Sequence, residues 1–410
     1  SVSDISAAGR AERAVKAFKK NPAKAVKALG KAVRSHPEIA QALKLLQSEA
    51  LLAAGQRRKA LKLAQSVAAT DERWGHRAAW VAARAAAGDD CLRALTHLDQ
   101  VYVDPPWIQA APVLALRASA AESCEAIDLA AAAEHELAVK YPLTPEGRAA
   151  ESRVRLSDSD RLKRADAMER AGDYIAAEEE LNLLLGTPET NEARFRIARL
   201  HLERVREDYD LSHRIFSELA TEVGPRSEES AWLEGKVLGR KGEVVGAITA
   251  FERYITRFPS GVYVENAEFF IAFLLYEHGR FKEAAESFGR IQSGAWTEAA
   301  QWYGPWSQYL SGDVKGAQPL LETLARTAKS LRTRRKALYW SARAAEGFDP
   351  DLAREQRETL VRDRPHDWYG LLVRRRFPND FSRVRGLPKR VRLKMLKPPR
   401  AFRKPTKEIR

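Results

Sequence analysis

A pattern of small and apolar residues recurs along this chain. In most copies a glycine is followed five residues later by alanine and nine residues later by a larger apolar residue. Glycine ends a helix in the left-handed conformation, and positions five and nine of the next helix share one face. Each copy therefore predicts two helices joined by a tight turn and packed closely at the small residue. The copies are Gly55/Ala60/Ala64 (with only alanine at the ninth position), Gly172/Ala177/Leu181, Gly242/Ala247/Phe251, Gly279/Ala284/Phe288, Gly312/Ala317/Leu321 and a variant without glycine, Glu207/Ser212/Phe216.

The copies follow one another at a nearly constant distance. Those that start at 172, 207, 242, 279 and 312 are 35, 35, 37 and 33 residues apart. This period, together with the order Ala247, Phe251 and Pro259, resembles that of tetratricopeptide repeats. The pattern predicts an all-α fold, an α-solenoid or superhelix of antiparallel helix pairs that each contact mainly their neighbours. A compact helical bundle is the alternative, but a bundle needs no fixed period.

Changes in the pattern divide the chain into four predicted regions. Residues 1–164 carry degenerate, alanine-rich repeats, and residues 165–325 carry the regular repeats. Residues 326–373 follow as closing helices. Residues 374–410 hold fifteen Lys or Arg and two acids, so they carry +13 of the formal net charge of +14. We expect this last region to be a basic linker or the start of a further domain.

Composition places the chain among folded proteins rather than disordered or membrane-spanning ones. Hydrophobic residues make up 45% and charged residues 30% of its 410 positions. The longest uncharged apolar run, Phe269 to Tyr276, has eight residues and is too short to span a bilayer. The chain starts at Ser1 without an initiator methionine or a leader pattern. We therefore expect the start to be a cut in a longer protein, and the proline-rich basic run from Gly386 to Arg410 leads us to expect a second cut, in a connector, at the other end.

Motifs for common chemistry are absent from the sequence. The Gly239-Arg240-Lys241-Gly242 segment lacks the upstream glycine and the Ser or Thr of a phosphate-binding loop. His135-Glu136 continues without a second histidine at zinc-binding spacing. Carboxylates such as Glu178, Glu179 and Glu180 stand in polar helical surroundings, which predicts a solvated face. We expect no catalytic residue, metal site or cofactor in this chain.

The two cysteines, Cys91 and Cys124, are 33 residues apart, which is about one repeat. Both begin helix-like stretches, so they could occupy equivalent positions on adjacent repeats. A disulfide between them would imply an oxidising compartment. Two unpaired buried thiols are the alternative, because equivalent positions on stacked repeats can lie beyond the reach of a disulfide.

Aromatic residues crowd the segment from Trp296 to Tyr309 at helical spacings. Such spacing is typical of a core, and a groove that stacks on sugars or binds a partner is the alternative. The candidate residues for glycan or partner binding are Trp302, Tyr303, Trp306 and Trp368. The basic tail suits polyanions, but no nucleic-acid recognition motif accompanies its charge, which disfavours nucleic acid as the partner.

The segment after the last repeat carries a pair of motifs. Lys336 to Ala344 and His366 to Leu372 look like the Ala-x-Tyr-Trp-x-Ala-Arg and aromatic-Tyr-Gly-x-x-Ala signatures of soluble periplasmic lytic transglycosylases. Val373 stands where that family usually has alanine. Tyr339 and Trp340 are also expected to pack beneath Trp368 and Tyr369 as plain core. The positions that match the family are Ala337, Tyr339, Trp340, Arg343, Tyr369 and Gly370.

The resemblance implies a periplasmic protein that acts on peptidoglycan glycan strands. In that family a lysozyme-like domain cleaves the bond between N-acetylmuramic acid and N-acetylglucosamine and forms a 1,6-anhydro ring. The Glu-Ser and Gly-Leu-Met-Gln strings of that domain do not occur here. The resemblance therefore implies the non-catalytic superhelical scaffold of such an enzyme. The alternative is a tetratricopeptide adaptor that binds a protein partner in its concave face and has no enzymatic activity.

Overall fold

The computed structural model describes residues 18, 21–70, 72–101, 108–203 and 208–381. These residues form twenty-one α-helices and a short 3₁₀ turn, Pro37–Ile39, and they contain no β-strand. The prediction of an all-α fold of antiparallel helix pairs is confirmed. None of the described helices is both long enough and apolar enough to cross a membrane.

The chain divides into two compact units, Ser1–Lys241 and Gly242–Arg410. The division between Lys241 and Gly242 falls inside residues 165–325, which the sequence analysis assigns to one repeat array. The bounds of the four sequence regions stay a prediction. In the first unit the helices are α1 (Pro22–Ser35), α2 (Ala40–Ala53), α3 (Arg57–Ala68), α4 (Glu72–Ala86), α5 (Cys91–Leu98), α6 (Ala110–Ser123), α7 (Ile127–Lys140), α8 (Pro145–Glu151), α9 (Asp158–Ala171), α10 (Tyr174–Asn182), α11 (Thr190–Glu203), α12 (Tyr209–Thr221) and α13 (Ser227–Lys241).

The second unit continues the same alternation of helix and short turn. Each of its helices packs against the next one along the chain, and α17 and α19 also touch across the helix between them. Such nearest-neighbour packing is the defining feature of helical-repeat folds. The helices of this unit are α14 (Val244–Arg257), α15 (Val264–Glu277), α16 (Phe281–Arg290), α17 (Thr297–Leu310), α18 (Val314–Thr327), α19 (Leu331–Ala345), α20 (Pro350–Asp363) and α21 (Trp368–Arg376).

The repeat pattern has the structural role that its spacing predicts. The turn glycines Gly55, Gly172, Gly242, Gly279 and Gly312 adopt φ values between 74° and 93°. The small residues at the fifth position are 0% exposed, and those at the ninth position are at most 1% exposed. In the variant copy, Ser212 Oγ donates a hydrogen bond to the carbonyl oxygen of Ala198 at 2.9 Å. The start of that copy, Glu207, lies outside the described residues, as do residues 382–410 of the basic tail.

The interior changes character along the chain. Between Ala25 and Ala150 the fully buried apolar residues are mostly alanine, and none of those described is aromatic. The second unit contains a core in which Phe269 stacks on Trp296 with 4.3 Å between ring centroids and meets Phe288 edge to face. Ala284 lies fully buried in this cluster. The same repeat geometry therefore accommodates two different kinds of packing.

Candidate functional site

A row of half-buried aromatic rings crosses two helices of the second unit. On α17 the rings of Trp302 and Trp306 stack at 5.7 Å, and those of Trp306 and Tyr309 stack at 5.5 Å. Trp340 on α19 lies 4.4 Å from Trp306 and 5.4 Å from Tyr309. We name these four rings, together with Arg332 and Lys336 of α19, the aromatic–basic face.

Helical spacing explains why the rings line up. Residues 302, 306 and 309 are separated by four and three positions, so they share one side of α17. The other side of that helix carries small buried residues, Ala300, Gly304 and Ser307, which contact the core. A Cβ at Gly304 would lie 3.4 Å from the Cβ of Phe288. The large rings are therefore directed away from the tightest helix contact and stay partly open to solvent.

Lys336 adds a cation to this row of rings. Its ammonium nitrogen lies 3.4 Å from the centroid of the Trp302 ring, which is close enough for a cation–π interaction. Burial and, to a lesser extent, the positive charge of Arg332 lower the pKa of Lys336 from its ordinary 10.5 to about 8. Lys336 makes no hydrogen bond or ion pair with any other residue in the part of the chain that the structure describes.

Two other predicted binding residues lie elsewhere. Tyr303 belongs to the core, where its ring stacks on Phe288 at 5.5 Å and meets Phe273 edge to face at 5.6 Å. Trp368 is 69% exposed as the first residue of α21. The structure thus brings Trp302 and Trp306 together and leaves Tyr303 and Trp368 outside the row, while their binding roles stay a prediction.

The predicted closing motif holds α19 against α21. The ring of Tyr339 lies 5.6 Å from that of Tyr369 and meets that of Trp340 edge to face at 5.4 Å. Trp368, which the sequence expectation placed over this pair, instead points to solvent. A Cβ at Gly370 would collide with the carbonyl oxygen of Arg364, so the close turn there requires glycine. The motif residues therefore have a packing role at this helix contact.

A buried arginine fixes the start of α21. Both Arg335 Nε and Nη2 donate to the carboxylate of Asp367, and Nη2 also donates to the carbonyl oxygen of Leu360 at 2.7 Å. Asp367 in turn accepts a hydrogen bond from the Gly370 amide at 2.8 Å as the helix N-cap. Burial opposes ionisation of Asp367, but the hydrogen bond from Arg335 and its charge outweigh it and lower the pKa of this carboxyl group.

The remaining motif residues have distinct surroundings. Ala337 is fully buried in α19, where a small side chain permits close packing. Arg343 Nε lies 3.5 Å from a carboxylate oxygen of Glu346, and its guanidinium carbon lies 6.0 Å from the Trp340 centroid. Arg343 therefore borders the aromatic–basic face, but it already has an acidic neighbour.

In the first unit a disulfide joins Cys91 and Cys124, with 5.6 Å between the Cα atoms. Cys91 begins α5, whereas Cys124 is the residue that ends α6, so the two do not occupy equivalent helix starts. Glu125, next to Cys124, adopts a φ of 58°, which turns the chain toward α7. The bond fastens the start of one helix to the end of the next one along the chain.

The structure corrects the expectation of a solvated face at Glu180, whereas Glu179 is exposed and Glu178 is partly exposed. Glu180 is 5% exposed and accepts hydrogen bonds from Arg164 Nε at 2.9 Å and Arg161 Nη1 at 2.8 Å. Arg164, itself 4% exposed, also donates to the carbonyl oxygen of Ala138 at 3.0 Å. The sequence does not reveal this ion pair, because its partners come from different helices and neither residue stands in an apolar pattern.

The first unit also contains a polar cleft of about 690 Å³ between residues 162 and 227, which the sequence analysis missed. Arg226 on its wall is held by both carboxylate oxygens of Glu192, at 2.6 and 2.8 Å, and by Glu229 at 2.7 Å. The hydrogen bond from Arg226 to Glu192 raises the pKa of this guanidinium group. The arginine thus stabilises the wall of the cleft. The described residues contain no group of three or more metal-binding side chains.

No family model and no curated protein matches this chain. Among solved structures, the chain is similar to the C-terminal part of a TPR repeat-containing protein from Cytophaga hutchinsonii, with 18% sequence identity and a TM-score of 0.40. The alignment covers 54% of this chain and 83% of the other chain. This chain is also similar to PilW, a widely conserved type IV pilus biogenesis factor, with 16% sequence identity and a TM-score of 0.35. That alignment covers 54% of this chain and 99% of PilW. No family membership follows from similarity at this level.

Proposed function

We propose that this chain is a tetratricopeptide-like scaffold that binds a protein partner through the aromatic–basic face of its second unit. One observation carries the proposal: Trp302, Trp306 and Tyr309 form a stacked row, which Trp340 meets at an angle, and these rings stay half-buried next to Lys336. Large aromatic side chains that remain partly exposed are the residues that dominate binding energy at protein interfaces. No catalytic role is assigned to any residue of this face.

Site-specific photo-crosslinking in the source organism tests this proposal. The whole protein would carry p-benzoyl-phenylalanine in place of Tyr309, and a matched variant would carry it in place of Leu320. Leu320 lies on α18 and is 48% exposed, but it is not part of the aromatic–basic face. We expect a protein to be trapped at position 309 and not at 320, and Trp306→Ala to abolish the trapping. The same adducts at both positions would contradict the proposal.

A second candidate is the non-catalytic scaffold of a periplasmic peptidoglycan lytic transglycosylase. This candidate rests on the sequence resemblance of the segments that contain Tyr339 and Tyr369. The disulfide between Cys91 and Cys124 supports an oxidising compartment, which agrees with a periplasmic location. On this proposal glycan strands of the cell wall lie along the scaffold, and a separate domain of the whole protein performs the cleavage.

Digestion of purified cell-wall sacculi separates the two candidates. The whole protein and the segment that ends at Arg410 would each be incubated with sacculi, and the products would be analysed by mass spectrometry. Products with 1,6-anhydro ends from the whole protein alone would support the scaffold of a lytic transglycosylase. The absence of such products, together with a protein crosslinked at position 309, would support the adaptor function instead.

A further inference from the structure

The cations of the aromatic–basic face form their own row along α19. Arg332, Lys336 and Trp340 follow one another at intervals of four residues, so they share one side of this helix. That side meets α17 where Lys336 covers the Trp302 ring. The first turn of α19 contains no acidic residue. A cationic row therefore runs beside the aromatic row, and the two meet at Trp302.

The two cations of this row lack a counter-charge within the described chain. Neither Arg332 nor Lys336 forms a hydrogen bond or ion pair with another described residue. The neighbouring Arg335 is by contrast fully engaged with Asp367. A half-buried ammonium group next to another cation is unfavourable unless a negative group approaches it. Lys336 is therefore placed to gain from a carboxylate that comes from outside.

The charges at the edges of the face favour a peptide over a uniformly anionic polymer. Glu298 is exposed and lies four residues before Trp302, on the same side of α17. A phosphate backbone that follows the row of rings would meet this carboxylate at one end and Glu346, beside Arg343, at the other. A peptide avoids this repulsion, because its charged residues can be spaced to face the two cations only.

The rings themselves are poorly disposed toward sugars. One face of Trp302 is covered by the Lys336 ammonium group, and the indole N–H of Trp306 already donates to the hydroxyl oxygen of Tyr276 at 3.2 Å. Sugar binding needs an open ring face together with free polar groups around it. Aliphatic side chains, in contrast, need only the apolar edges and the remaining ring surface.

We propose that the aromatic–basic face binds an extended acidic segment of a partner protein, with carboxylates at Arg332 and Lys336 and aliphatic side chains against Trp306, Tyr309 and Trp340. The proposal rests on the proposed adaptor function and adds the chemistry of the partner. Carboxylates satisfy the two unpaired cations, while the apolar side chains cover the half-exposed rings. Charge then selects the partner, and burial of the rings supplies most of the binding energy.

Three fluorescein-labelled peptides of about twelve residues test the proposal by fluorescence anisotropy with the full chain. All three have leucine at alternate positions, and the positions between carry glutamate, glutamine or lysine. We expect the glutamate peptide to bind at least about 10-fold more tightly than the glutamine peptide, and the lysine peptide not to bind. We expect Lys336→Met and Arg332→Gln each to weaken binding of the glutamate peptide about 5-fold or more and to leave the glutamine peptide unchanged.

Lys315→Met is the matched control, because Lys315 also approaches an aromatic ring, that of Phe348 at 5.9 Å, but lies on α18. It should bind all peptides as the unaltered chain does. Equal affinity for the glutamate and glutamine peptides would overturn the acidic partner and leave the adaptor function intact. Binding of none of the peptides, or binding that Trp306→Ala leaves unchanged, would overturn both. Oligouridylate that binds more tightly than the glutamate peptide and is weakened by Lys336→Met would assign the face to nucleic acid instead, whereas oligouridylate binding that Lys336→Met leaves unchanged would come from the basic tail.

Discussion

The two compact units share one repeat pattern, but the interior of the first unit is alanine-rich up to Ala150, whereas the second unit contains a large aromatic core. In the first unit, alanines such as Ala60 let the helices approach closely, and charged pairs such as Arg164 and Glu180 are buried between them. In the second unit, aromatic rings occupy the space beside the small residue, as Phe288 does beside Ala284. Some rings of the second unit, such as Phe288 at 1% exposed, are fully enclosed, whereas the rings of the aromatic–basic face stay partly exposed and are available for binding.

Among substitutions that test this comparison, we expect the largest loss of stability at the buried ion pair of the first unit. Arg164→Met leaves Glu180, 5% exposed, with only Arg161 as its partner. We expect a loss of about 3 to 5 kcal/mol in the free energy of unfolding, measured by urea denaturation. The double variant Arg164→Met/Glu180→Leu removes both charges and should recover most of the loss. A double variant as unstable as the single one would mean that the pair is not what holds these helices together.

The disulfide of the first unit should have a similar but smaller effect. It closes a loop over a sequence separation of 33 residues, and the loss of such a constraint on the unfolded chain costs about 3 to 4 kcal/mol. We expect reductant to lower the midpoint of urea denaturation of the unaltered protein. It should not affect the variant Cys91→Ala/Cys124→Ala. Two alkylated thiols in unreduced protein from an oxidising compartment would show that no bond forms there.

In the second unit, the close contact at the repeat alanine is tested by adding volume. Ala284→Leu inserts a large side chain at a fully buried position next to Phe269 and Phe288, and overpacking should cost about 1 to 3 kcal/mol. Ala285→Leu is the matched control, since Ala285 lies on the same helix and lines an open cleft of about 320 Å³. Thermal unfolding of both variants measures the difference. Equal stability of the two variants would mean that Ala284 does not lie at the close contact between the helices.

The smallest effect concerns the aromatic–basic face. The pKa of Lys336 is about 8 in the folded chain and 10.5 in the unfolded chain. Between these two pH values the ammonium group of Lys336 is therefore more fully protonated in the unfolded chain than in the folded chain. Ionisation of Lys336 therefore destabilises the fold below pH 8, and this destabilisation fades as the pH rises. We expect Lys336→Met to be slightly more stable than the unaltered chain at about pH 7 and to lose that advantage near pH 10 in thermal unfolding.

A loss of stability in Lys336→Met at neutral pH would mean that the cation on Trp302 stabilises the fold. Greater stability combined with weaker binding of the acidic peptide would instead mark Lys336 as a residue kept for binding. Such a trade between stability and function is common at binding sites.

Much of the fold follows from the sequence because its determinants are local. Gly172 ends a helix, Ala177 starts a close contact five residues later, and Leu181 fills the space beside it, all within one repeat. The same locality identifies Trp302 and Trp306 as one stripe. The sequence spacing does not show that Tyr303, the residue next to Trp302, belongs to the core instead of this stripe. Spacing assigns a residue to a side of its helix, but which side is covered depends on the neighbouring helices.

The sequence by itself determined the helix pairs, their period, the turn glycines and the small residues at the contacts. Only the tertiary structure decided that Arg164 meets Glu180, that Cys91 meets Cys124 and that Lys336 covers Trp302. The physical reason is one of range. Backbone conformation and helical periodicity act within a few residues, whereas each of these contacts joins side chains from different helices, whose distance is set by the packing of the residues between them.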